Sequence, residues 1–211
     1  MKKMFLASSL SNVAADISQR IPTSRRKTAF ITTASEVALG DGEWLRNDRD
    51  VLRAAGFDTV DYSFTGKTQE EVRSDLCSFD ILCVEGGNTY FLAQEIQRSG
   101  AAMVIRELIE AGKVYIGSSA GSIVTCPTIG WTGRLDDPDR APDLVGREGL
   151  GLVPFLVFPH WGSPKKIERH LQHNVPLLQK ESFPIILLAD THYVEVSDDS
   201  FHVHDSSHPK S

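Results

Sequence analysis

A short turn of glycine and serine residues carries the clearest potential for nucleophilic chemistry in this sequence. It reads Gly117-Ser118-Ser119-Ala120-Gly121 and lies between an apolar stretch at 114–117 and a segment of helical character. A G-x-S-x-G turn in this context raises a serine hydroxyl above a sheet and places its backbone at a helix N-terminus, which favours negative charge. We therefore predict that Ser119 is a nucleophile and that the Ala120 N–H donates to the resulting oxyanion. A turn of small residues that only packs closely is the alternative.

A serine nucleophile needs a base, and His160 is the best placed histidine. It follows the apolar stretch 155–158, and Asp190 follows a second apolar stretch at 185–188. Active sites of α/β folds gather at the carboxyl ends of strands, so both residues are expected at one rim. Asp190 is predicted to accept the ring N–H of His160 and to stabilise the imidazolium. In the alternatives without catalysis, His160 forms hydrogen bonds only to neighbouring backbone groups, and Asp190 only begins a turn.

The other histidines considered are weaker candidates for catalysis. His170 and His173 lie in a predicted amphipathic helix, whereas His202, His204 and His208 lie in the C-terminal tail. His202 and His204 share one strand face and so suggest a metal site, but no third ligand is set by spacing. We predict a solvated strand face there, and neither a metal nor a cofactor.

The elements that must position these residues alternate between strands and helices. Strands are predicted at 4–7, 28–32, 59–64, 81–84, 114–117, 155–158 and 185–188, and helices at 42–55, 69–76, 90–97, 102–111 and 165–178. This alternation predicts an α/β fold with a mostly parallel central sheet flanked by helices on both faces. Segments 193–196 and 201–204 predict a C-terminal antiparallel hairpin. The irregular stretch 127–151 is either a surface excursion or an active-site flap.

Length and composition restrict the remaining possibilities. The 211 residues, 41% of them hydrophobic, predict a single domain spanning 1–211. A net charge of −6 argues against nucleic acid as a partner. Three cysteines, an odd number, favour a reducing compartment. Because no stretch is long and apolar enough for a membrane span and the N-terminal apolar run is too short for a signal peptide, we expect a cytoplasmic protein without membrane partners.

Three motifs, in this order and spacing, resemble the peptidase E family, which has a class I glutamine amidotransferase-like fold. They are Gly86-Gly87-Asn88-Thr89, the segment 116–122 around Ser119, and Pro159-His160. The resemblance spans nearly the whole chain. It implies a serine exopeptidase acting on small peptides without a cofactor, through Ser119, His160 and Asp190. It also implies that Gly86 or Gly87 supplies a second oxyanion-hole N–H and that Asn88 lies by the substrate.

Two departures from the family pattern bear on specificity. Glu85 occupies a position where relatives commonly have glycine, so its carboxylate is expected either near the substrate, where it would alter the pH optimum or disfavour acidic substrates, or facing solvent. The segment after His160 is short, and no arginine matches the one with which aspartyl dipeptidases bind an aspartate side chain. Lys165, Lys166 and Arg169 are possible substitutes. Strict aspartyl specificity is therefore not expected. For the assembly, a homodimer is the state considered.

Two other functions remain open from the residues. An ordinary α/β-hydrolase esterase uses the same turn with the chain order Ser, Asp, His, which Asp190 followed by His202 or His204 would satisfy. A non-catalytic binding protein that keeps the fold is suggested by Glu85 and the missing arginine.

Overall fold

The computed structural model describes residues 2–38, 40, 42–133 and 135–207. The strands are β1 Lys3–Ala7, β2 Lys27–Ile31, β3 Asp58–Tyr62, β4 Ile81–Val84, β5 Val114–Ser118, β6 Leu156–Phe158, β7 Ile185–Leu187, β8 His192–Ser197 and β9 Ser200–Asp205. The helices are α1 Leu10–Gln19, α2 Glu43–Ala54, α3 Gln69–Leu76, α4 Thr89–Ser99, α5 Ala101–Glu110, α6 Ala120–Ile123, α7 Ile167–Arg169 and α8 Val175–Leu178. Short 3₁₀ turns occupy Thr33–Ser35, Gly130–Thr132 and Pro138–Arg140.

The central sheet has seven strands in the order β3-β2-β4-β5-β1-β8-β9. Strands β1 to β5 pair in parallel, whereas β8 is antiparallel to both β1 and β9. The predicted mostly parallel sheet and C-terminal hairpin are therefore confirmed. Strands β6 and β7 do not join this sheet but pair in parallel with each other. An apolar run predicts a buried strand but does not specify its partner.

Two hydrophobic clusters cover the two faces of the sheet. One includes the buried residues of α1 together with Phe5 and Ile116, and the other includes those of α3 to α6 together with Leu6 and Val84. Alternate residues of each strand point to opposite faces, so the two clusters share the same strands. None of the described helices is both long enough and apolar enough to cross a membrane.

Two helical segments differ from the sequence prediction. Helix α1 was not predicted, although its buried residues Leu10, Val13, Ala14 and Ile17 follow helical spacing. The predicted helix 165–178 begins two residues later and contains a π-helical turn at His170–Asn174. Pro176 lies in the first turn of α8, where its missing N–H is tolerated.

Candidate active site

The turn around Ser119 requires its two glycines for steric reasons. A Cβ at Gly117 would lie 2.6 Å from the carbonyl oxygen of Gly121, and a Cβ at Gly121 would lie 1.9 Å from that of Val84. The turn therefore lies too close to itself at Gly117, and too close to β4 at Gly121, for a side chain at either position. Ser119 itself has φ 48° and ψ −106°, an unfavourable conformation for a non-glycine residue.

Hydrogen bonds hold this strained turn in place. The Ser119 N–H donates to the Ala7 carbonyl at 3.1 Å. The Ser122 hydroxyl approaches the carbonyls of Ala7 and Gly117 at 2.8 and 2.9 Å, and the Tyr115 hydroxyl donates to the Gly121 carbonyl at 2.6 Å. The central strand β1 thus supports the turn through the carbonyl of its last residue.

Ser119, His160 and Asp190 form one continuous hydrogen-bonded chain. The Oγ of Ser119 lies 3.0 Å from Nε2 of His160, and Nδ1 of His160 lies 2.6 Å from Oδ1 of Asp190. When Nδ1 carries the proton and donates to the carboxylate, Nε2 is free to accept the serine proton. The hydrogen bond from His160 is the main cause that lowers the pKa of Asp190, so the carboxylate stays ionised.

The glycine-rich turn after β4 lies against the nucleophile. A Cβ at Gly86 would lie 3.3 Å from Cβ of Ser119, whereas one at Gly87, where φ is 134°, would lie 2.2 Å from the Ala34 carbonyl oxygen. Ala120 is buried and begins α6 immediately after Ser119. Gly86 thus lies against Ser119, and Ala120 directly follows the nucleophile in the chain.

Asn88 lines the site, but its side chain also has two structural partners. Its Oδ1 accepts a hydrogen bond from the Phe91 N–H at 2.9 Å and so caps α4. Its Nδ2 donates to the Asp137 carbonyl at 2.8 Å. Asn88 therefore ties the irregular segment to the rim of the sheet.

Glu85 does not lie on the cavity surface and does not face solvent. It is fully buried, and its carboxyl group interacts electrostatically with that of Asp48. Burial raises the pKa of both groups, and in Glu85 the neighbouring Asp48 carboxylate raises it further. A pair that retains a proton places less negative charge beside the glycine turn than the sequence suggested. Asp48 was not considered from the sequence, because nothing in α2 distinguishes it from exposed acids.

A cavity of about 1030 Å³ opens at this rim of the sheet. Ser119, His160, Gly86, Gly87 and Asn88 line it, together with residues 135–138 of the irregular stretch. That part of 127–151 therefore forms a wall of the cavity. Arg134 lies outside the described residues.

Two of the three predicted basic substitutes reach the cavity. Lys166 and Arg169 line it, and both also line an adjoining space of about 50 Å³ beside Ser119. Lys165 is not among the lining residues. Asp136 lies in the same small space and accepts a hydrogen bond from the Thr89 N–H at 3.0 Å. Burial lowers the pKa of Lys166 and raises that of Asp136.

The remaining histidines lie away from the nucleophile or play other parts. His204 on β9 lies 2.9 Å from the Glu195 carboxylate and stacks on Tyr193, and neither it nor His202 lines the cavity. His173 lines the cavity, His170 is fully buried, and His208 lies outside the described residues. Within the described ranges, no group of three or more potential ligands is arranged to hold a metal.

Sequence comparison matches nearly the whole chain to one protein family. The sequence model of "Peptidase family S51" matches residues 4–204. An uncharacterized peptidase of Listeria innocua is 35% identical over 167 residues, which cover 77% of this chain and 78% of the relative. The peptidase E of Salmonella arizonae is 31% identical over 137 residues, which cover 65% of this chain and 56% of that protein.

Structure comparison agrees with the sequence comparison. A candidate peptidase E protein of Listeria monocytogenes superposes with a TM-score of 0.88 at 27% identity, covering 97% of this chain and 98% of that chain. A peptidase from an acI-B1 actinobacterium superposes with a TM-score of 0.69 at 15% identity, which supports the fold alone.

Proposed function

Because the chain belongs to peptidase family S51, we propose that it is a serine peptidase of the peptidase E type that cleaves small peptides with Ser119, His160 and Asp190. The observation that carries this proposal is the chain of hydrogen bonds, 3.0 Å from Ser119 to His160 and 2.6 Å from His160 to Asp190. These distances lie within the range for a nucleophile, its base and the group that orients the base.

In the proposed reaction, Ser119 Oγ attacks the scissile carbonyl while His160 Nε2 takes its proton. The imidazolium formed is stabilised by Asp190 and then protonates the departing amine. Water, activated by His160, hydrolyses the acyl enzyme and restores the serine. Each step uses side chains already within hydrogen-bonding distance, so no cofactor is required.

The oxyanion is proposed to bind the backbone N–H of Ala120 and one N–H of the glycine turn. Gly86 or Gly87 supplies this second N–H. The N-terminal end of α6 adds its favourable field for negative charge. Gly86 contributes by lacking a side chain where Ser119 passes.

The substrate is proposed to be a short peptide held between the sheet rim and the wall formed by residues 135–138. Lys166 and Arg169 lie beside Ser119, so they are the residues through which an acidic group on the substrate would be bound. Glu85 is proposed to act on the site indirectly through its neighbour Gly86 rather than by touching the substrate, whereas Asp48 itself lines the cavity. Asn88 positions the wall and contacts the bound peptide.

Location and assembly are part of the same proposal. The free cysteines, Cys77, Cys83 and Cys126, fit a cytoplasmic protein. Exposed Phe201 and Val203 on strand β9 offer an apolar surface for a homodimer. Each chain would form a single domain that carries the whole site. Size-exclusion chromatography with light scattering measures the assembly.

Labelling with a fluorophosphonate tests the nucleophile directly. The wild-type protein should form an adduct on Ser119, identified by peptide mapping, and Ser119→Ala should form none. A library of dipeptides and acyl esters, screened against both proteins, then identifies the substrate, counting only cleavage lost in Ser119→Ala. If the wild type stays unlabelled where a control hydrolase reacts, the non-catalytic function is favoured instead.

Substitution of histidines separates the peptidase from the esterase alternative. His160→Gln should reduce the labelling rate by at least about a hundredfold, because general-base assistance contributes that much or more. His204→Gln should leave the rate unchanged, since His204 pairs with Glu195. The reverse pattern would support the esterase order.

A further inference from the structure

The hydroxyl of Ser8 bonds two members of the catalytic chain at once. Ser8 is fully buried and directly follows β1. Its Oγ accepts a hydrogen bond from the backbone N–H of His160 at 2.7 Å and donates one to Oδ1 of Asp190 at 2.9 Å. A serine hydroxyl has a single hydrogen to donate, and here it is directed at the carboxylate.

Asp190 depends on this bond for its orientation. Its side chain is 40% exposed, and Oδ1 is the oxygen that receives both the Ser8 hydroxyl and the His160 ring N–H. Rotation about the last side-chain torsion of an aspartate is only weakly restricted. With the Ser8 donor removed, only the His160 ring would hold this oxygen in place. That ring is the group that Asp190 itself must orient.

His160 depends on Ser8 in a different way. Its backbone has φ 60°, in the left-handed region that non-glycine residues seldom occupy. The bond from its N–H to Ser8 holds the residue in this conformation, from which its ring reaches Ser119. Loss of the acceptor would leave a poorly exposed N–H without that partner and weaken the restraint.

The end of β1 also supports the nucleophile. The Ala7 carbonyl accepts a hydrogen bond from the Ser119 N–H. The Ser8 N–H donates to the carbonyl of His192, two residues after Asp190, at 3.2 Å. His160 and Asp190 follow strands β6 and β7, which do not belong to the central sheet. Ala7, the last residue of a central strand, and Ser8, which follows it, therefore connect the nucleophile to a base and an acid that come after a separate pair of strands.

We infer that Ser8 is a positioning residue of the proposed peptidase. It fixes His160 and Asp190 relative to each other and to Ser119. This inference rests on the proposed function for its kinetic consequence. Its structural content, that Ser8 holds the His160–Asp190 pair, is measurable without any turnover.

Fluorophosphonate labelling of Ser119 gives the kinetic test. Ser8→Ala should slow labelling by about 10- to 100-fold, because small misplacement of a base has effects of this size. Ser8→Cys, which preserves volume but bonds weakly, should also lose at least about fivefold. With the identified substrate, kcat should fall while KM changes by less than about threefold. Thermal unfolding is measured for each variant.

Ser99→Ala is the matched control. Ser99 is also a buried serine, whose hydroxyl donates to the Glu95 carbonyl at 2.6 Å and accepts from the Ala101 N–H at 3.3 Å, remote from the cavity. It should lose stability but label at the wild-type rate. Wild-type labelling in both Ser8 variants, or an equal loss in Ser99→Ala, would overturn the inference.

Proton NMR tests the inference even if the protein proves not to be a peptidase. The 2.6 Å bond between His160 and Asp190 should give a downfield Nδ1 proton, assigned by its loss in Asp190→Asn. In Ser8→Ala this signal should shift or be lost by exchange with water. An unchanged signal overturns the role of Ser8, whereas absence of labelling in wild type, with the NMR change present, contradicts only the proposed function.

Discussion

Oδ1 of Asp190 lies 2.6 Å from Nδ1 of His160, although the two residues follow strands outside the central sheet. The carboxylate accepts a hydrogen bond from the Nδ1–H of His160, and Nε2 is thereby left without a proton and faces Ser119. The tautomer of His160 is therefore set by a residue that does not touch the nucleophile.

Asp190→Asn should lower kcat by about 10³- to 10⁴-fold with little effect on folding. An amide can donate to Nδ1 and so favour the tautomer in which Nε2 carries the proton and cannot accept another. Steady-state kinetics on the identified peptide measures the loss. Asp205→Asn, an exposed carboxylate on β9, is the control and should retain full activity. Equal activity of both variants would contradict the role of Asp190.

Gly121→Ala should destabilise the protein by at least about 3 kcal/mol, because its Cβ would collide with the backbone of Val84. The expected loss is measured by denaturant unfolding. Gly151→Ala is the comparison: this glycine has φ 57° but no atom within 4 Å of an added Cβ, so only about 1 kcal/mol of backbone strain is expected. Similar losses at both positions would show that contact with β4 does not constrain the turn.

Glu85→Gln should flatten the dependence of stability on pH above about pH 4.5. The folded-state pKa of Glu85 lies well above its ordinary 4.5, so the folded protein holds a proton that the unfolded chain releases. Its contribution to the free energy of unfolding is therefore fully present below the ordinary pKa and is lost as pH rises. Urea unfolding between pH 4.5 and 8 measures the slope. Glu110 is an exposed residue of α5, and Glu110→Gln should keep the wild-type slope. The same dependence of the free energy of unfolding on pH in all three proteins would refute this account.

His170→Phe should make the protein less sensitive to mild acid. Burial lowers the pKa of His170 from 6.5 to about 4, so between these values the unfolded chain binds a proton that the folded protein does not. Stability therefore falls as pH falls through this range. Phenylalanine fits among Phe158 and Trp161, whose rings already contact His170, and carries no titrating group. Thermal unfolding at pH 4 to 7 tests this, with exposed His202→Gln expected to follow the wild type.

The sequence by itself determined the tight turn at Ser119. Glycines at 117 and 121 beside an apolar run predict a tight turn, because they allow the backbone to pack closely. This prediction needs only residues that are neighbours in the sequence. The alternation of apolar and amphipathic segments likewise predicted the parallel sheet, because periodicity reflects which faces are buried. Helix α1 carries the same periodic pattern of apolar residues.

Only the tertiary structure decided how the distant parts meet. Burial of Glu85 against Asp48, and the bonds from Ser8 to His160 and Asp190, join residues 37 to 182 positions apart. Such contacts depend on which strands pair and how closely helices pack, and the separate pairing of β6 with β7 was not encoded in either strand alone. A lone serine after a strand carries no local signal, so its place between the base and the acid emerges only when the chain is folded.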